Sequence, residues 1–286
     1  MLDSVVPAVE YPRYSNRQLA AVPLAVLAVS LLIIAGTWAV TGTPVSPGID
    51  FTGGTELQVA TDASEEEIEA AFDPAPESIR PIAAQENEYV LTFQSTDTAA
   101  IENQAAEAGF EVISISSTSA AFGAQTQLQA IAGVAVAFVG MSLLVALLFR
   151  TFVPSIAIVL SAFSDIVIPI ALMNLFDVQL SLGTVAALLM LIGYSVDSDI
   201  LLNNHVLRRR GDFYESTHRA MRTGVTMTTT SIVAMVVMTA TATALAIPLL
   251  PAIGLVLVFG LLADLMNTYL LNVSLLRWYK YEGIAR

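Results

Sequence analysis

Cysteine is absent from the chain, and lysine occurs once, at Lys280. Without cysteine there is no disulfide framework and no thiol chemistry to consider. The two histidines, His205 and His218, have no metal-ligand spacing, so no metal site is expected. No nucleophile–base set and no nucleotide-binding loop stands out, which argues against an enzyme and against a bound cofactor. Charge itself is scarce: only 13% of the 286 residues are charged, against roughly 25% in an ordinary soluble domain. What fills the gap is apolar, 55% of the chain, with a mean hydropathy of +0.70. The apolar stretches are of helix length, not the ~10-residue alternating segments of an outer-membrane barrel. The composition is that of an α-helical polytopic membrane protein.

Largely charge-free windows predict six transmembrane helices, at about 18–41, 125–149, 152–175, 181–205, 223–246 and 252–276. Arg13 and Arg17 ahead of the first run resemble a signal peptide. That run reaches Val40 without an Ala-x-Ala-like end and is therefore expected to stay as an anchor. Of the twelve basic residues, Arg80 alone falls on one side of the predicted spans, in the 42–124 loop. The positive-inside rule then places residues 1–17 and 277–286 in the cytoplasm and the 42–124 loop outside the cell membrane, with membrane lipid around the spans. That loop holds fifteen of the twenty-five acidic residues. Such a surface, with a pI near 4.4, fits a protein adapted to high salt, whose carboxylates keep it hydrated.

Within the loop the pattern predicts strand 55–60, helix 64–72, strands 78–84 and 89–94, helix 98–108 ending before Gly109, and strand 111–117. The order βαββαβ is the ferredoxin-like split pattern, an α+β external domain of one modest core. On the last strand the alternation sets Ile113 and Ile115 on one face and Ser114 and Ser116 on the other. The domain contains no catalytic constellation and is expected to dock or bind.

The informative residues are the acids inside the apolar runs, since ionisable groups there are costly and usually functional. Asp165 lies halfway along the third span, and Pro169 four residues on removes the amide that would bond its carbonyl, favouring a kink. Asp197 and Asp199 interrupt the fourth span about 200° apart, so they cannot face the same neighbour. Asp199, nearer Arg208, can snorkel more easily, and Asp197 is therefore expected to face the bundle. Asp264 is in the sixth span with Asn267 on the same face, a relay member or a structural polar contact. Arg222, at the cytoplasmic start of the fifth span, reads as a topology anchor. Nine hydroxyl residues between Thr223 and Thr243 suggest interhelical hydrogen bonds or a hydrated path.

Several segments carry a resemblance in the same order along nearly the whole chain. Gly48-Ile49-Asp50-Phe51-Thr52-Gly53-Gly54-Thr55 opens the external domain, and Ile192-Gly193-Tyr194-Ser195 precedes the span-four acids. Ser164-Asp165-Ile166-Val167-Ile168, Thr184 to Leu189, Arg222-Thr223 and Thr268-Tyr269 agree with them. Together they closely resemble the SecF family, the smaller membrane subunits of SecD–SecF export complexes of the RND superfamily. The resemblance implies a six-span half that pairs with SecD beside the Sec protein-conducting channel. It also implies help for a translocating polypeptide from the outer side and coupling to an ion gradient, with Asp165, Asp197, Asp199, Asp264 and Arg222 as candidates for that coupling. No nucleic acid is implied. The chain departs from the bacterial form, which has Asn-Asp where this one has Asp197-Ser198, and one residue turns a side chain by about 100°. Two other readings of the buried acids stand beside this one: a small-molecule exporter of the RND class and a non-transporting scaffold.

Overall fold

The computed structural model describes residues 11–82, 85, 87–208, 212–245, 247 and 249–282. The end of the predicted strand 78–84, the last residue of predicted span five, and Arg209, Arg210 and Arg286 lie outside the described residues.

Among the described residues, six helices are long and apolar enough to cross a membrane. They are α1 (Asn16–Thr41), α5 (Ala120–Phe149), α6 (Phe152–Leu175), α7 (Leu182–Arg208), α8 (Phe213–Ala244) and a last span, α9 (Leu250–Met266). The last span continues through a π-helical stretch, Asn267–Asn272, into α10 (Val273–Tyr281). Caps explain several starts. Ser15 and Gln18 close a capping box on α1, Ser119 accepts the Phe122 amide on α5, and Asp212 accepts the amides of Tyr214 and Glu215 on α8. Span five was expected from 223 and begins at Phe213. Its first turns are polar, joined by an Arg219–Glu215 ion pair of 2.8 Å, so hydropathy reports only the apolar part of a longer helix. α6 runs through Pro169 as one helix.

The spans differ sharply in what surrounds them. Two-thirds of the apolar window of α6 is buried inside the chain, against 6% for α5 and 11% for α8. α6 is thus the central element, while α5 and α8 present Leu128, Val136, Leu147, Val233 and Val237 outward to lipid or a partner helix. Most threonines of α8 with a bonded hydroxyl turn back on the helix itself, as Thr226 does to Arg222 O and Thr243 to Thr239 O. Thr228, which accepts from Tyr194, is the cross-helix case.

Between α1 and α5 stands the sheet domain, entered through the short helix α2 (Ile49–Thr52). Its elements are β1 (Gly54–Ala60), α3 (Glu65–Ala70), β2 (Ser78–Pro81), β3 (Glu88–Phe93), α4 (Thr98–Glu107) and β4 (Glu111–Thr118). The sheet is antiparallel in the order β2-β3-β1-β4, the ferredoxin-like arrangement predicted. Leu57, Val59, Leu91 and Phe93 pack beneath Ile68, Phe72, Ile101 and Ala105. Ser64 caps α3, and the Glu67 carboxylate accepts the Ser64 amide and hydroxyl, which holds Glu67 below the usual carboxylate range. One strand expectation fails locally. A register shift between Gln58 and Val59 pairs Ile115 with Leu57 but Val112 with Val59, so Ile113 bulges outward and is 45% exposed.

The two glycines at the end of α2 are required by geometry. Gly53 (φ 81°) and Gly54 (φ 147°) hold backbone conformations that other residues rarely adopt. A Cβ on Gly53 would stand 2.6 Å from the Ala120 amide nitrogen, so this turn lies directly against the start of α5.

Candidate functional site

α6, α7 and the last span bring three carboxylates, Asp165, Asp199 and Asp264, into the interior; Asp165 and Asp199 are fully buried and Asp264 is 1% exposed. The α7 face that meets them is a stripe at spacing four: Ser195, Asp199 and Asn203, each fully buried. This overturns the expectation for Asp197. Asp197 is exposed, and Asp199 is the group that faces the bundle. Nearness to Arg208 proved the weaker guide, because a polar stripe continued one turn either side of Asp199 sets the orientation of the helix. Ser198, at the position of the bacterial acid, is half-buried and serves as a hydroxyl bridge.

Partners of the carboxylates are hydroxyls and carboxamides. Ser195 Oγ donates to Asp165 Oδ2 at 2.5 Å and Asn267 Nδ2 to Asp165 Oδ1 at 2.6 Å. Thr268 Oγ1 and Asn272 Nδ2 each approach Asp199 Oδ1 at 2.8 Å. Ser198 Oγ stands 2.7 Å from Asp264 Oδ1, 2.9 Å from Ser195 O and 3.3 Å from Thr268 Oγ1, which is itself 3.3 Å from Asp264 Oδ1. Two hydroxyl hydrogens cannot satisfy all of these oxygen pairs at once. Buried acceptors also remain without a hydrogen-bond partner: Asp199 Oδ2, Asn203 Oδ1 and Asn267 Oδ1. Each such atom costs about 1–3 kcal/mol in a dry interior, and the Ser161 and Ser164 hydroxyls on α6 are likewise without a partner.

The π-helical stretch supplies this geometry. Its wider turn lets Asn267 reach α6 while Thr268 and Asn272 reach α7. Asn267, expected on Asp264's face, is buried as Asp264 is and donates to Asp165. The stretch also leaves the Tyr269 carbonyl available to the Tyr11 hydroxyl, 3.0 Å away. Burial pushes the Tyr11 hydroxyl well above its ordinary range, so it remains a donor. Around it, Leu19, Leu202, Val206, Phe213, Met221, Val273 and Leu276 form an apolar cluster that includes residues from the start of α1 and from α10. Arg277 fastens that cluster through Tyr11 O at 2.8 Å, Tyr14 O at 2.7 Å and the Asn16 side chain.

The remaining sequence candidates fall elsewhere. Arg222 is exposed on the third turn of α8. Tyr194 is half-buried with its hydroxyl on Thr228, and Gly193 is exposed. Gly48, Asp50, Phe51, Gly53 and Gly54 form the joint between the sheet domain and the bundle. Among the described residues no group of three or more His, Cys, Asp or Glu side chains could hold a metal ion. Ser198, Asn203, Asn272, Tyr11 and Arg277 were not singled out as site residues from the sequence; only the spacing Ser195–Asp199–Asn203 could have pointed to one of them.

A bundle of six spans with a ferredoxin-like domain after the first, and buried acids on the third, fourth and sixth, defines a multi-pass membrane protein that carries one small α+β domain. The protein-export membrane protein SecD/SecF C-terminal family matches residues 98–282, which include Asp165, Asp197, Asp199 and Asp264, and the SecD/SecF GG motif matches residues 38–65. The chain is 70% identical to the protein-export membrane protein SecF of Haloferax volcanii and 63% identical to that of Haloquadratum walsbyi, in each case over 100% of both chains. It is 37% identical to SecF of Pyrococcus furiosus over 91% of this chain and 90% of the relative. The chain belongs to the SecF family of multi-pass membrane proteins, and its role is in protein export. The fold also superposes on the crystal structure of SecDF, a translocon-associated membrane protein from Thermus thermophilus. There the TM-score is 0.74 at 18% identity, over 93% of this chain and 38% of that one. A second SecDF crystal structure, in a super-membrane-facing form, aligns at a TM-score of 0.56. This chain spans about two-fifths of each SecDF chain.

Proposed function

We propose that this SecF protein pairs with SecD beside the Sec protein-conducting channel and assists a translocating polypeptide from the outer face of the cell membrane. Residues 1–17 and 277–286 are cytoplasmic and 42–124 external, supported by the one-sided distribution of basic residues. The work is driven by an ion gradient, with no enzymatic reaction and no cofactor. Asp165, Asp199 and Asp264 take up and release a proton. Asp197 and Arg222, exposed on α7 and α8, face the partner helices.

The observation that carries this reading is the Ser198–Thr268 bridge, where two hydroxyls are shared among Asp199, Asp264 and the Ser195 carbonyl. An added proton gives that bridge the hydrogen it lacks, and its departure returns repulsion between acids on α7 and the last span. The packing of those two helices therefore depends on the bound charge. The test is co-purification from native membranes combined with export. Wild type and Asp264→Asn should both recover a SecD partner, and Asp264→Asn alone should lose the part of export that responds to the gradient. Recovery of no SecD, or an unchanged gradient response in Asp264→Asn, contradicts the proposal.

A further inference from the structure

The segment that joins α1 to the sheet domain is bonded to the top of α7. Leu180 N donates to Ser46 O and Gly48 N to Leu180 O, each at 2.8 Å, and Pro47 and Leu180 form a short parallel bridge. Asn174 Nδ2 donates to Pro44 O at 2.9 Å. A side chain of α2 adds to this joint. Asp50, on α2, accepts the main-chain N–H of Leu182, the first residue of α7, at 2.9 Å. The next part of the α7 start is self-capped, since Thr184 N donates to Ser181 Oγ and Ser181 N to Thr184 Oγ1. Asp50 thus takes an amide that the helix does not satisfy for itself, and its negative charge meets the positive end of the helix dipole.

On the other side of Asp50, α2 leads without a linker through Gly53 into β1, a central strand of the sheet. Its backbone also lies against α5, where a Cβ on Gly123 would stand 2.6 Å from the Phe51 carbonyl oxygen. Domain, α5 and α7 therefore meet at one four-residue helix. Asp199 is seventeen residues further along α7 than Leu182, about 25 Å down an unbroken helix at 1.5 Å per residue.

We propose that Asp50 is a positioning residue that ties the sheet domain to α7, so that displacement of α7 by charge uptake at Asp199 is passed to the domain. It rests on the ion-coupled reading above and adds the mechanical link which that reading leaves open. Asn at position 50 keeps an oxygen acceptor for the Leu182 amide, whereas Ala does not.

The absence of cysteine makes the test direct. Spin labels on Glu102→Cys, exposed on α4, and Leu245→Cys, exposed at the end of α8, report the position of the domain against the bundle in the full chain in native membranes. Asp199→Asn, which removes the charge, should shift the distance distribution when Asp50 is present. The shift should be lost with Asp50→Ala and restored with Asp50→Asn. A shift of the same size in the Asp50→Ala background overturns the link and leaves the ion-coupled reading standing. No shift with Asp199→Asn in the Asp50 background overturns that reading and the link with it. Export should follow the same order, and normal gradient-dependent export by Asp50→Ala also contradicts the proposal.

Discussion

Replacing Ser198 with alanine removes one of the two hydroxyls shared among three acceptors while leaving every carboxylate in place. Asp264 Oδ1 would then keep only the longer approach from Thr268, at 3.3 Å. The account predicts a loss on the order of 1–3 kcal/mol in stability, measured by thermal unfolding in detergent, and a weakened gradient response in export. Equal stability and export for Ser198→Ala and wild type would remove the bridge from the mechanism. Residue scale is also where sequence reasoning was least able to see. Which of Asp197 and Asp199 turns inward depends on the polar groups above and below it on α7, and on Thr268 and Asn272 across the interface, 69 and 73 residues from Asp199. Asn272 carries no local mark of a site, and it is a direct partner of Asp199. The Asp50–Leu182 bond spans 132 residues and leaves no local signature.

At the scale of elements, helices and strands were legible because hydropathy and alternation are local properties. What escaped them were departures from regularity: the π-helical stretch of the last span, the outward Ile113, and the polar first turns of α8. The π stretch carries an expectation of its own. Deleting Leu270 would replace the wide turn with ordinary α-helix and take away the spread that lets Asn267 serve α6 while Asn272 serves α7. The variant should insert and accumulate while losing gradient-dependent export; retained coupling would show that the stretch is incidental. The Arg277 clasp belongs to the same scale. Arg277→Ala leaves Tyr11 O and Tyr14 O without their donor and should destabilise the chain by roughly 3 kcal/mol. Unfolding midpoints in detergent measure this. The α3 capping box gives a pH dependence. Glu67 is lowered in the folded domain, so its contribution is present above the ordinary carboxylate value and is lost as pH falls through the lowered one. Glu67→Gln should abolish that acid-side loss, seen by amide exchange along α3, and an unchanged acid profile would contradict it.

Taken as a whole, the molecule carries a net charge of −13, concentrated by fifteen acids in the 42–124 loop, and its relatives include SecF from two haloarchaea. Self-repulsion on that surface is screened within about 3 Å at 1 M salt but reaches about 30 Å at 0.01 M. Lowering salt should therefore loosen the sheet domain before it affects the membrane bundle, whose network is buried. That the chain is a membrane protein of helical spans was readable from hydropathy and the scarcity of charge, because the membrane imposes that distribution on any sequence. The mechanism was not, because it depends on contacts between α6, α7 and the last span. The most direct measurement compares Asp199→Asn with Asp197→Asn in export of a signal-bearing reporter into membrane vesicles, with and without ionophore. The account predicts that Asp199→Asn loses the ionophore-sensitive component at least about tenfold, the equivalent of 1.4 kcal/mol, while Asp197→Asn retains most of it. Normal ionophore-sensitive export by Asp199→Asn, in protein present at wild-type levels, would contradict the claim that the buried carboxylates couple the gradient to export.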